Sequence, residues 1–221
     1  MTHQEIIKKH TIPEQIIPEI IDWEAICREE TLSEDFIREY KDQVDWYWIS
    51  SNQTLSEDFI REFKDRVKWD MFSNHQTLSE DFIREFQDCV DWYWISRKTK
   101  LSEDFIKEMK DYVNWGFIST NQTLSEDFIR EFQDRVDWTV ISSCQKLSED
   151  FIREFQDRVR WRDITLHQTL SEDFIREFQD QVDWSVVDEC RELSDEFRDE
   201  FKQKLALNKH FKYALSKGLR P

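Results

Sequence analysis

The chain has 221 residues, 38% of them hydrophobic, 14% aromatic and 36% charged, with a formal net charge of −17 and only two Gly, three Pro and four Cys. So aromatic a composition excludes an intrinsically disordered chain. Two glycines also exclude the phosphate-cradling loops G-x-x-x-x-G-K-[ST] and G-x-G-x-x-G, which need a permissive backbone at several neighbouring positions, so the nucleotide-enzyme classes fall away first.

The N-terminal stretch mixes His3, Glu5, Lys8, Lys9, His10 and Glu14 among its apolar residues, so it lacks the apolar core of a secretion signal. No apolar run anywhere is long enough to span a bilayer. Cys27, Cys89, Cys144 and Cys190 are scattered, with no Cys-x-x-Cys pair and no nearby His to complete a zinc site, and read as reduced thiols of an intracellular protein. The triplets Asn52-Gln53-Thr54 and Asn121-Gln122-Thr123 are therefore not expected to be glycosylated. Ile12 to Trp23 reads as a shortened unit, with Pro13 in the first turn of one helix and Pro18 forcing a break or a kink. Residues 1–31 are expected to form an N-terminal capping repeat.

From Leu32 onward the chain repeats itself. Leu32, Leu55, Leu78, Leu101, Leu124, Leu147, Leu170 and Leu193 recur every 23 residues, each followed by Ser, and Trp23, Trp46, Trp69, Trp92, Trp115, Trp138, Trp161 and Trp184 keep the same period. Strict self-similarity marks stacked copies, each too small to bury its own apolar face. Seven 23-residue repeats are expected over residues 32–192.

Within the first copy, Phe36, Ile37, Tyr40 and Val44 fall on one arc of a helical wheel, and Glu34, Asp35, Arg38, Glu39, Lys41 and Asp42 on the other. The spacing predicts an amphipathic helix of roughly three turns. Ser33 is its N-cap, Glu34 and Asp35 sit at the positive end of its dipole, and Leu32 with Ile37 forms a hydrophobic staple. Val44, Asp45 and Ile49 repeat that grammar, so a second helix should run from about Trp46 to Ser50 and end in a polar connector. Each copy is then a helical hairpin with Leu32, Phe36, Ile37, Trp46 and Ile49 in its core. Lys68 and Arg160 replace the capping Asp in two copies, where a weaker cap is expected.

Residues 193–221 read as a degenerate repeat with a basic capping tail. Arg198 replaces the Ile of the helix, Ala206 and Leu207 replace the Asp-Trp pair, and the tail continues through Phe211, Tyr213 and Leu215. Residues 202–221 hold six basic and no acidic residues, leaving a net −23 in the rest. That tail can touch an anionic partner or fold back on the acidic body, which itself repels nucleic acid.

Candidate chemistry is sparse. Glu34-Asp35 and its counterparts are adjacent carboxylates on a solvated arc with nothing apolar to raise a pKa, so they read as surface, with Glu34 and Arg38 as an i,i+4 pair. The periodic tryptophans could offer a stacking platform, but their helical phase places them in the core. His75 and His167 are too far apart to share a metal and read as solvated. Gln53, Gln76, Gln122, Gln145 and Gln168 share one phase and suggest an amide ladder between copies. The pairs Tyr47-Trp48 and Tyr93-Trp94 stand where other copies have Met71, Phe117, Val140, Asp163 and Val186 at the second position. They are the candidate binding patch, with packing against the adjacent copy as the alternative.

The string Leu124 to Trp138, LSEDFIREFQDRVDW, followed by Val140-Ile141-Ser142 and Gln145, resembles tandem-repeat proteins encoded by giant DNA viruses of protists. The resemblance covers about residues 12–205. It implies a viral origin but no established activity, and it transfers no catalytic residue.

The sequence therefore predicts an all-α solenoid, right- or left-handed, of about eight helical hairpins in a single elongated domain. It is expected to be a non-enzymatic scaffold for protein–protein interaction, without cofactor or metal, a monomer or weak end-to-end oligomer, in host cytoplasm or virion. Its candidate interaction surface is Tyr47, Trp48, Asp70, Tyr93, Trp94, Phe117 and Arg162. The rival readings are an acidic nucleic-acid mimic that blocks a DNA-binding partner, and a structural virion component.

Overall fold

The computed structural model describes residues 22–190 and 192–206. Most of the expected N-terminal cap, with Pro13 and Pro18, and the tail from Leu207 onward lie outside the described residues. The chain divides into two compact units, residues 1–114 and 115–221. The first contains α1 (Trp23–Glu29), α2 (Glu34–Glu39), α3 (Trp46–Asn52), α4 (Glu57–Glu62), α5 (Trp69–His75), α6 (Glu80–Glu85), α7 (Trp92–Lys98) and α8 (Glu103–Glu108). The second contains α9 (Trp115–Asn121), α10 (Glu126–Glu131), α11 (Trp138–Cys144), α12 (Glu149–Glu154), α13 (Trp161–His167), α14 (Glu172–Glu177), α15 (Trp184–Cys190) and α16 (Asp195–Glu200). Odd-numbered helices begin with Trp and even-numbered ones with an acid. Among the described residues there is no strand, and each unit is a stack of 23-residue helical hairpins, an α-solenoid.

The start signals act as the sequence implies. Ser33 Oγ accepts the Phe36 N–H at 3.2 Å, and the same bond recurs at every described acid-led helix, down to Ser194 and Phe197 at 3.1 Å. Asp45, Asp91 and Asp137 cap the Trp-led helices by accepting the N–H two residues on, whereas Lys68 and Arg160 make no side-chain cap.

The first helix of each copy is shorter than its apolar spacing predicts. It ends after six residues at Glu39, where Tyr40 turns to φ −108°, ψ 27°. A separate turn follows, with the Gln43 and Val44 N–H groups both donating to Tyr40 O at 2.9 and 3.0 Å. The indole bonds to the turn beyond the break: Trp46 Nε1 donates to Lys41 O at 2.9 Å. The bond recurs from Trp69 to Lys64 O, Trp92 to Gln87 O and Trp138 to Gln133 O. The second helix runs two residues further than expected, to Asn52.

Packing places the Trp-led helices side by side, α1–α3–α5–α7 in the first unit and α9–α11–α13–α15 in the second. Phe36, Ile37, Ile49, Phe59, Ile60 and their apolar periodic equivalents form the core, at 5% exposure or less. The tryptophans belong to the boundary between copies. Trp46 lies 6.4 Å from Phe59 and 5.1 Å from Phe63 of the next copy, and Trp138 lies 6.2 and 5.0 Å from Phe151 and Phe155. Trp46 is buried; Trp69, Trp92, Trp115, Trp138, Trp161 and Trp184 are half-buried. Burial of an aromatic pair across each boundary is what a lone copy cannot achieve.

Candidate interaction surface

Much of the polar sequence is committed to joining copies. Gln145 Oε1 accepts the Leu124 N–H at 3.0 Å, while its Nε2 donates to Ser119 O at 2.9 Å and Gln122 O at 2.8 Å. Gln168 and Gln53 make the equivalent three bonds. The expected amide ladder therefore exists, but it runs from side chain to main chain. Each Gln satisfies a carbonyl left open at the end of the preceding Trp-led helix.

Two further joints were not anticipated. Ser50 is fully buried, donates to Trp46 O at 2.7 Å and accepts the Lys68 N–H at 2.9 Å; Ser73, Ser119, Ser142 and Thr165 do the same. The periodic Ile-Ser pair in the sequence was the available signal. Glu34 accepts the Ser56 N–H at 2.6 Å, as do Glu57, Glu126, Glu149 and Glu172 the N–H of the Ser one copy on. This corrects the reading of Glu34 as plain surface: its side chain is 28% exposed against 96% for Asp35. The Ser194 N–H holds the Glu172 carboxyl below the usual carboxylate range.

Arginines also favour the neighbouring copy. Arg38 Nε donates to Glu62 at 2.7 Å, compared with 3.5 Å to Glu34, and its guanidinium lies 5.0 Å above the Phe59 ring. Arg61, Arg130, Arg153 and Arg176 repeat this arrangement, and Arg84 grips Glu108 with two bonds of 2.8 Å. That pairing keeps the Glu108 carboxyl below its ordinary range. These charges are solvated enough to add little individually, but the cation–π contact and ion pair share one geometry in copy after copy.

Among the described residues four large apolar side chains are exposed: Tyr112 in the turn after α8, Leu166 on α13, and Tyr47 and Tyr93 on the Trp-led helices α3 and α7. Tyr47 and Tyr93 are each 45% exposed, and each stands edge-on to the next residue, Trp48 or Trp94, with ring centroids 5.0 Å apart. Both tryptophans are half-buried. Arg28 lies 5.7 Å above Trp48; Arg97 and Lys98 lie 5.4 and 5.0 Å from Trp94. Asp70 is exposed at the equivalent position of α5, between the two pairs. These residues belong to the first unit. Phe117 and Arg162 belong to the second, where Phe117 is half-buried and Arg162 is exposed and 3.8 Å from Asp183.

Charge is sorted between the layers. The four acid-led helices of the first unit each carry a net −2, whereas in its Trp-led helices Glu24, Glu29 and Asp70 balance Arg28, Arg97 and Lys98. His75 and His167 are exposed and end their helices. Cys27 is buried, which pushes its thiol up to about 11, while Cys89 and Cys144 are exposed. Among the described residues no group of His, Cys, Asp or Glu is arranged to hold a metal ion, and no helix is long and apolar enough to cross a membrane. No protein-family model, curated protein or solved structure matches the chain.

Proposed function

We propose that this protein is a non-enzymatic helical-repeat scaffold that docks a protein partner on the Trp-led layer of its first unit. The observation that carries this reading is the pair of tyrosines at 45% exposure, each backed by a half-buried tryptophan, in a layer without net charge. Rigid aromatic side chains lose little entropy on docking and dominate interface energies, so two such anchors on packed helices suit a protein partner. Affinity capture with the native chain and with a Tyr47→Ser/Tyr93→Ser variant tests it. Both side chains are exposed, so the fold survives; partners retained by the double variant would refute the reading.

Nucleic-acid mimicry has weaker support. The outermost carboxylates, Asp35, Asp58, Asp81, Asp127, Asp150 and Asp173, are 92–96% exposed, yet each has an arginine nitrogen at 2.6–3.1 Å. A row of anions paired in this way imitates a phosphate backbone poorly. On the motif resemblance alone, the proposal extends to a viral product acting inside a host cell.

A further inference from the structure

On the reading that the first unit docks a protein, we infer that Tyr47 and Asp70 together receive a cationic side chain, foremost an arginine, from a basic segment of that partner. The two aromatic pairs are one motif in different surroundings. Their internal geometry is the same, with ring planes at 89° and 88°. Around Tyr93, the motif's own helix supplies cations: Arg97 lies 6.0 Å from its ring and 3.3 Å from its hydroxyl, and Lys98 reaches Trp94. At the corresponding positions α3 carries Ser51 and Asn52. Ser51 Oγ donates to Asn52 Oδ1 at 2.9 Å, and Asn52 Nδ2 is turned away to Arg28 O at 2.9 Å. Arg28 covers Trp48 and is itself held by Glu24 and Glu29 at 3.4 and 2.9 Å. Among the described residues, no cation lies over Tyr47. Helix α7 thus displays with its own residues the occupant that α3 lacks.

Asp70 supplies the counter-charge. It stands one period after Tyr47, on the helix packed against α3, and is exposed. Packed helices lie about 8–10 Å apart, so a ring and a carboxylate at one register bracket a single guanidinium. Arginine fits better than lysine, because its flat face stacks on the ring while its edge donates to the carboxylate. The net charge of −17 draws a basic segment in and holds an acidic one off.

The test titrates the full chain with fluorescein-labelled Arg-Ser and Glu-Ser repeat peptides of equal length, read by anisotropy, alongside NMR spectra with ¹³C-labelled rings on the five tyrosines. The arginine peptide should bind and shift the Tyr47 ring signals, leaving those of Tyr93 in place, and the glutamate peptide should not bind. Tyr47→Leu and Asp70→Asn should each weaken binding about tenfold, while Tyr47→Phe, and Asp150→Asn in the second unit, stay within about twofold. Equal weakening by Asp70→Asn and Asp150→Asn with a silent Tyr47 ring would reveal diffuse attraction only and overturn the inference, as would tighter binding of the glutamate peptide. If Tyr93→Ser releases a captured partner but Tyr47→Leu does not, docking stands and the cation site falls. If the arginine peptide lands on Tyr47 while the double serine variant keeps its partners, the docking reading is the one that falls.

Discussion

Replacing Gln145 by alanine removes three bonds at once. The Leu124 N–H, whose residue is 6% exposed, loses its acceptor at 3.0 Å, and the carbonyls of Ser119 and Gln122 lose a donor at 2.9 and 2.8 Å. A buried group left unsatisfied costs about 1–3 kcal/mol, and water entering the vacated space relieves carbonyls more readily than an enclosed N–H. The expected loss is about 2–4 kcal/mol, most of it from the Leu124 N–H. Gln145→Thr should lose less, since Thr99 occupies this position in another copy and is itself buried. Urea unfolding followed by circular dichroism gives the total, and amide hydrogen exchange at Leu124 localises it, because a stack of copies opens between neighbours. A loss below about 0.5 kcal/mol with unchanged Leu124 exchange would refute the claim that the amide joins the copies.

Other consequences follow from caps, carboxylates and thiols. Lys68→Asp gives α5 the acceptor it lacks and should stabilise by about 1 kcal/mol in urea unfolding. Arg160→Asp at α13 should gain less, because it also breaks the 3.3 Å ion pair to Asp163; equal gains would count against this local account. Glu172 is held below its ordinary value of 4.5, so its contribution is present above that pH and lost as pH falls through the lower folded value. Stability should therefore decline on acidification, and Glu172→Gln should flatten that decline; an unaltered slope would contradict it. At neutral pH Cys27 is a buried, protonated thiol, so iodoacetamide should label Cys89 and Cys144 in the native protein and Cys27 only on unfolding, as read by peptide mapping.

The parts of this fold written in short-range grammar were legible in the sequence. Leu32-Ser33 and Val44-Asp45 announce a cap and a staple within five residues, and the caps stand where they say. The gap at Lys68 and Arg160 was visible for the same reason. What escaped depends on the register between copies. Arg38 has an acid four residues before it and another 24 residues after it, and only the stacking shows that the distant one is nearer. Ser50 reads as a polar helix terminus until the next copy brings the Lys68 N–H to it. The helix break at Tyr40 and the bond from the Trp46 indole to Lys41 O in the turn beyond it are not encoded in the hydrophobic arc. On the outer surface, exposure of Tyr47 and Tyr93 follows from their phase, but the difference in their cations required the neighbouring helices.

Every joint described here links residues a fixed step apart, such as 21 from Leu124 to Gln145, 22 from Glu126 to Ser148 and 24 from Arg130 to Glu154. Excising or duplicating one whole 23-residue period keeps these steps, so wherever the copies carry the same joint residues each donor still faces an acceptor of the same kind. Loss of a single residue puts every joint that spans it out of step. Recombination between near-identical segments can therefore lengthen or shorten the protein without inventing a new contact, making copy number a heritable variable and leaving exposed positions such as Tyr47 to diverge one segment at a time.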